Sequence, residues 1–184
     1  LKDNLLPVTA ANVSDIDDVI KTSKAISPLS DSAMKYMVSN DMPLTVENMY
    51  MANHSSYSAE DNGRRSQYYK DAAGYIGRNA DASDIESLRP QIENIIKEAG
   101  LDITDETMNS SKWLIEHNLP LTADNLVKLS DINSLSFPID IDTVARSCAA
   151  ALSDGAYAKE AVLTNTESQV ERAAHITAEM LKEI

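Results

Sequence analysis

Apolar residues in this chain recur at spacings of three and four, and polar or proline-containing breaks interrupt them. Val13, Ile16, Val19 and Ile20 make one such stripe; Ile85, Leu88, Ile92, Ile95 and Ile96 make another; Leu126, Leu129 and Ile132 make a third. Residues at these spacings share one face of an α-helix, so the pattern predicts amphipathic helices. They are expected over 9–24, 31–40, 45–55, 63–76, 83–99 and 105–118, then after Thr122, after Asp140 to near Ser153, and from Thr166 to the end. Met34, Met37 and Val38 should face inward in the second, and Met49, Tyr50 and Ala52 in the third. Met108, Lys112 and Ile115, with Trp113 beside them, should share a face of the helix over 105–118. In the last helix the stripe is Val170, Ala173, Ala174, Thr177, Met180, Leu181 and Ile184.

The helix starts are written in a repeated grammar. Residues 119–126 read Leu-Pro-Leu-Thr-Ala-Asp-Asn-Leu, residues 42–49 read Met-Pro-Leu-Thr-Val-Glu-Asn-Met, and residues 6–13 read Leu-Pro-Val-Thr-Ala-Ala-Asn-Val. Proline cannot continue a preceding helix and biases the residue before it towards extended backbone. Thr9, Thr45 and Thr122 then serve as N-caps, each hydroxyl accepting from an early helical N–H. The pairs Val8/Val13, Leu44/Met49 and Leu121/Leu126 stand where a hydrophobic staple closes over the cap. Asn12, Asn48 and Asn125 occupy the position where Glu or Gln would complete a capping box; the shorter Asn predicts a different bond. Ser30, Thr104 and Asp140 repeat the cap, with staples Leu29/Met34, Ile103/Met108 and Ile139/Val144. Ser83/Glu86 and Thr166/Gln169 have capping-box spacing. Gly77, Gly100 and Gly155 sit just beyond helices, where a left-handed residue ends them. Pro90 either kinks its helix or opens a second one.

The grammar repeats in pairs. Residues 28–55 and 102–133 each read as helix, proline-containing turn, helix, which is how stacked helical hairpins appear in sequence. The expected fold is therefore all-α, a repeat-like bundle or short solenoid of about eight or nine helices in a single domain. The 184 residues, 43% hydrophobic and 24% charged, suit that size of globular domain. With one Phe and one Trp, the core must rest on aliphatic residues, Met and some of the seven Tyr. Residues 1–7 look like the tail of an earlier helix and the last helix ends uncapped at Ile184, so the chain is expected to be part of a longer polypeptide.

A formal net charge of −13 disfavours phosphate backbones and anionic membranes as partners. Nucleic acid is excluded from the expectation on that ground. No apolar run is long enough to span a bilayer, which excludes membrane insertion by this stretch, and no signal peptide is visible. The compartment is not fixed by these residues; without a targeting segment here the expectation leans to the cytoplasm. Cys148 is the single cysteine, in a small-residue helix where it should be a buried thiol.

No motif carries chemistry. His54, His117 and His175 lack metal-ligand spacing, the acidic groups at 15–18 and 81–84 lack the order of a calcium loop, and neither a phosphate loop nor a nucleophile elbow is present. No cofactor, metal or catalytic residue is expected. The candidate binding residues are Tyr57, Arg64, Arg65, Tyr68, Tyr69 and Tyr75, which concentrate aromatic and positive side chains on an acidic chain; Tyr and Arg are enriched at interface hot spots.

The motif x-P-[VL]-T-x-x-N-[VML], set after helix tails such as residues 113–118, resembles that of a group of uncharacterised helical-repeat proteins of anaerobic Gram-positive bacteria, described as domains of unknown function. Their helix starts repeat as N-x-P-[IL]-T-x-E-N. The resemblance covers residues 6–53 and 102–144 and implies an all-helical repeat, with no activity to carry over. The expected role is a non-enzymatic scaffold or protein-interaction module with a protein partner. The alternative is an enzyme whose site lies between the two halves and uses dispersed carboxylates and a histidine.

Overall fold

The structure is a computed structural model that describes residues 8–59 and 82–182, with the side chains of 56–59 and 82–84 left aside. The helix expected over 63–76 lies outside the described residues. Among them the protein is all-α, with eight helices and one short 3₁₀ turn and no strand. The helices are α1 (Ala10–Lys24), α2 (Asp31–Ser39), α3 (Val46–Ala59), α4 (Ala82–Glu98), α5 (Asp105–Glu116), α6 (Ala123–Ser134), α7 (Ile141–Ser153) and α8 (Gln169–Lys182); the 3₁₀ turn is Ala158–Glu160.

All six caps expected from the grammar form. Thr9, Ser30, Thr45, Thr104 and Thr122 each accept the backbone N–H three residues on at 3.2 Å, and the Asp140 carboxylate accepts that of Thr143 at 2.9 Å. The Thr143 backbone N–H, with its hydroxyl, holds the Asp140 carboxyl below its usual range. The different bond expected of the asparagines is now visible. Asn48 Nδ2 donates to the Pro43 carbonyl and Asn125 Nδ2 to the Pro120 carbonyl, both at 2.8 Å. An amide carries a donor that a carboxylate lacks, so Asn reaches past the cap to the proline carbonyl. At α5 the box is completed by Thr107, whose hydroxyl accepts the Thr104 N–H at 2.9 Å.

Helix ends follow a second rule. α2, α4, α5 and α7 each close with a left-handed residue, Asp41, Gly100, Asn118 and Gly155, at φ of 47°, 71°, 56° and 83°. The next N–H folds back to the carbonyl five residues earlier: Met42 to Met37, Leu101 to Ile96, Leu119 to Leu114 and Ala156 to Ala151. This closure satisfies carbonyls that a helix end leaves unpaired.

Some expected boundaries and faces are corrected. α3 runs on to Ala59, through the first residues of the expected loop. α4 is one helix through Pro90 and is already helical at Ala82, so Ser83 lies inside it. Tyr50 is exposed, stacking at a tilt on His54 with ring centroids 4.0 Å apart. In α5 the buried residues are Ser110, Ser111 and Leu114, a stripe displaced from Met108, Lys112 and Ile115. α8 is capped by Ser168 with Glu171: the Ser168 N–H meets Glu171 Oε2 at 2.7 Å, and the Glu171 N–H meets Ser168 Oγ at 3.3 Å.

The chain divides into two compact units. One comprises Leu1–Leu29, Pro43–His54 and Ser136–Ile184; the other comprises Ser30–Met42 and Ser55–Leu135. In the first, α7 packs on α1 and on the 3₁₀ turn, and α1 packs on that turn as well. Ser147, Cys148, Ala149 and Ala150 are buried on α7, and their small side chains let backbone come close. Ser147 Oγ donates to the Leu163 carbonyl at 3.4 Å and Cys148 Sγ to that of Ala158 at 3.5 Å. The Leu163 N–H in turn donates to the Leu44 carbonyl at 2.9 Å, tying this loop to the start of α3. α8 belongs to this unit too, yet none of its side chains is buried, and Val170 and Leu181 are 70% and 67% exposed.

In the second unit α6 is the centre. It packs on α2, α4 and α5, and buries Leu126, Leu129 and Ile132; α4 also packs on α5. Ile92 and Ile96 of α4 and Leu114 of α5 are almost wholly buried. Each such side chain contributes on the order of 1.5–3 kcal/mol of burial. Among the described residues no buried side-chain polar atom lacks a hydrogen-bond partner. The buried serines show how: Ser23 Oγ donates to the Ile20 carbonyl at 2.7 Å and Ser111 Oγ to that of Thr107 at 2.9 Å.

Candidate functional site

Among the described residues of the second unit, α2, α5 and α6 build an open depression of about 450 Å³. α5 supplies Glu106, Asn109, Ser110 and Trp113, which stand at i, i+3, i+4 and i+7 and so share one helix face. Leu129 and Asn133 of α6, one turn apart, form a second wall, and Met34 of α2 completes the lining. Met34, Leu129 and Trp113 make an apolar floor; Glu106, Asn109 and Asn133 are exposed and polar.

Trp113 is fixed from two sides. His117, the C-cap of α5 one turn further on, stacks on it with centroids 4.0 Å apart and planes 22° apart. The indole Nε1 donates to Asp31 Oδ1 at 3.1 Å. Asp31 is the first residue of α2, where the helix dipole favours a carboxylate. His117 Nδ1 lies 2.8 Å from the Trp113 carbonyl, which can only accept, so the ring proton is assigned to Nδ1. Its Nε2 is 3.9 Å from Asp31 Oδ2. The indole's one polar atom is thus engaged at its edge, and what Trp113 lends the depression is hydrocarbon and π surface.

The remaining chemistry-bearing residues lie elsewhere. His54 Nδ1 contacts the Tyr50 carbonyl at 2.7 Å, and exposed His175 meets Glu167 Oε1 at 3.2 Å. Burial pushes the Cys148 thiol up to about 11, so at neutral pH it is protonated and a poor nucleophile. Among the described residues no group of three or more His, Cys, Asp or Glu is placed to hold a metal ion, and no helix is long and apolar enough to cross a membrane. Of the expected binding residues, Arg64, Arg65, Tyr68, Tyr69 and Tyr75 lie outside the described residues; Tyr57 is part of α3, its side chain likewise outside them.

The depression was not among the sites expected from the sequence. Its signal was present in the spacing of Glu106, Asn109, Ser110 and Trp113, a mixed polar and aromatic face at helical intervals. No curated protein and no solved structure matches the chain. A family model matches residues 1–183, and on that match the chain, an all-α protein with this depression in one of its two units, belongs to the family of unknown function DUF6240.

Proposed function

We propose that the chain is a non-enzymatic helical module that binds another protein. The observation that carries this reading is the anatomy of the Trp113 depression. Its apolar floor, which includes a tryptophan, is ringed by exposed polar side chains, the arrangement of an interface anchor site. An acid–base catalyst needs titratable groups convergent on one reacting atom. Among the described residues Glu106 is the only ionisable one in the lining, and His117 stands outside it with Nδ1 bound to the Trp113 carbonyl of its own helix.

Within the same reading, Tyr57, Arg64, Arg65, Tyr68, Tyr69 and Tyr75 belong to the binding function on their composition. Residues 28–55 and 102–133 are related repeats of a scaffold, a relation supported by the matching turns at Pro43 and Pro120. The shared motif of helical-repeat proteins from anaerobic Gram-positive bacteria supports a bacterial scaffold of that kind.

The test uses the whole chain as bait in a lysate of its source cell, beside an Asn133→Arg variant that fills the mouth of the depression from an exposed position. A protein retained by the wild type and lost from the variant, at equal melting temperature, is the expected result. The same proteins on both baits, or none on either, would overturn the reading.

A further inference from the structure

We propose that the Trp113 depression seats a basic side chain, an arginine or lysine with its aliphatic stem, carried by a partner protein; the proposal rests on the interaction-module reading above. Three features define the occupant. The floor of Met34, Leu129 and Trp113 offers hydrocarbon and π surface, which suits the methylene stem and the face of a guanidinium. Among the described residues the only charge in the lining is negative, Glu106, and a second carboxylate, Asp31, sits beyond the lining at the indole edge, 3.1 Å from Nε1. Asn109 and Asn133 add side-chain carbonyls that can accept from a guanidinium or ammonium.

These acceptors are available. Among the described residues no hydrogen bond or ion pair engages the side chains of Glu106, Asn109 or Asn133. The lysines of the two walls are turned to other tasks. Lys112 pairs with Glu116 at 3.7 Å, and Lys128 meets Asp41 at 3.3 Å and the Met42 carbonyl at 2.9 Å. No cation of α5 or α6 therefore neutralises the depression from within. The chain's net charge of −13 adds a long-range field that draws cationic partners and repels acidic ones. A neutral apolar anchor would use the floor alone and leave Glu106 without a role; an acidic one would meet the Glu106 carboxylate.

The chain contains a single tryptophan, and it stands in the site, so intrinsic fluorescence reads occupancy directly. The probe is N-acetyl-arginine methylamide, titrated against the full chain at low salt, with N-acetyl-citrulline methylamide as its neutral near-isostere. The expected result is a saturable fluorescence change with the arginine probe, weakened about fivefold in Glu106→Gln and about fivefold with citrulline, the scale of one exposed charge pair. Glu106 is exposed, so unchanged far-ultraviolet circular dichroism of Glu106→Gln would tie the loss to the carboxylate. Equal binding of arginine and citrulline would overturn the charge choice. Absence of any saturable change would overturn the side-chain site as such. In both cases the broader reading stands or falls separately, on whether Asn133→Arg loses a captured protein.

Discussion

The turn at residues 41–49 and the turn at residues 118–126 share their hydrogen bonds and differ in their surroundings. Each ends a helix on a left-handed residue, Asp41 or Asn118, and folds the next N–H back to the carbonyl five residues earlier. Each then starts a helix on a threonine cap, with the asparagine three residues on bound to the proline carbonyl at 2.8 Å. Yet Leu44 and Thr45 are buried, 3% and 6% exposed, whereas Leu121 is half-buried and Thr122 exposed. The Leu44 carbonyl also takes the Leu163 N–H from a distant loop. The same local instruction therefore sets the same backbone in both places, and what each residue contributes to stability is decided by what covers it.

The largest expected difference lies in the staple. Leu44→Ala should cost roughly 2–5 kcal/mol, because a cavity is left in a closed core. Leu121→Ala, already half in solvent, should cost about 1 kcal/mol. Urea melts of the two variants measure this directly, and equal losses would break the comparison.

A smaller difference is expected at the caps. Replacing an N-cap threonine by alanine costs about 0.5–2 kcal/mol. Thr45→Ala should fall at the upper end, since water cannot reach the freed N–H of Asn48 as easily; Thr122→Ala should fall at the lower end. Thr164 is exposed and caps no helix, so Thr164→Ala should stay within about 0.5 kcal/mol. A ranking by thermal melts other than Thr45, Thr122, Thr164 would mean that burial does not set the weight of a cap.

The smallest effect separates the two left-handed residues. Glycine adopts positive φ without strain, although it gains freedom in the unfolded chain. Asn118→Gly should therefore stabilise by about 0.5 kcal/mol. Asp41→Gly should be close to neutral, because Asp41 also meets Lys128 Nζ at 3.3 Å, a pair exposed at its Asp41 end and of modest worth. A larger gain at Asp41 than at Asn118 would show the ion pair contributes nothing.

How far the residues alone could carry this description depends on the range of each interaction. The six caps and the all-α class were legible because a cap needs only a hydroxyl or carboxylate and an N–H three residues away. The cap of α8 shows where that stops. Thr166 with Gln169 and Ser168 with Glu171 are both hydroxyl–acceptor pairs at the same spacing, and no neighbour separates them. Ser168 is the cap in a fold where the Gln169 N–H is taken by Asp154 Oδ1, 15 residues back in the chain. The buried face of α5 departs from its apolar stripe for a related reason. Ser110 and Ser111 are polar by composition, and only packing made them core, with Ser111 returning its proton to its own helix.

The candidate site divides in the same way. The sequence by itself determined six helix starts, through a cap and its N–H three residues on, and helical spacing settled that Trp113 and His117 would meet one turn apart and that Glu106, Asn109, Ser110 and Trp113 would share a face. Only the tertiary structure decided that Asp31, 82 residues from Trp113, would bind its indole and that Met34 and Leu129 would floor a depression beneath it. It also decided that the apolar stripe of α8 would stay uncovered while that of α6 became a core. Periodicity reports that a helix has an apolar face; whether anything lies against that face depends on contacts distant in the chain, which no local pattern encodes.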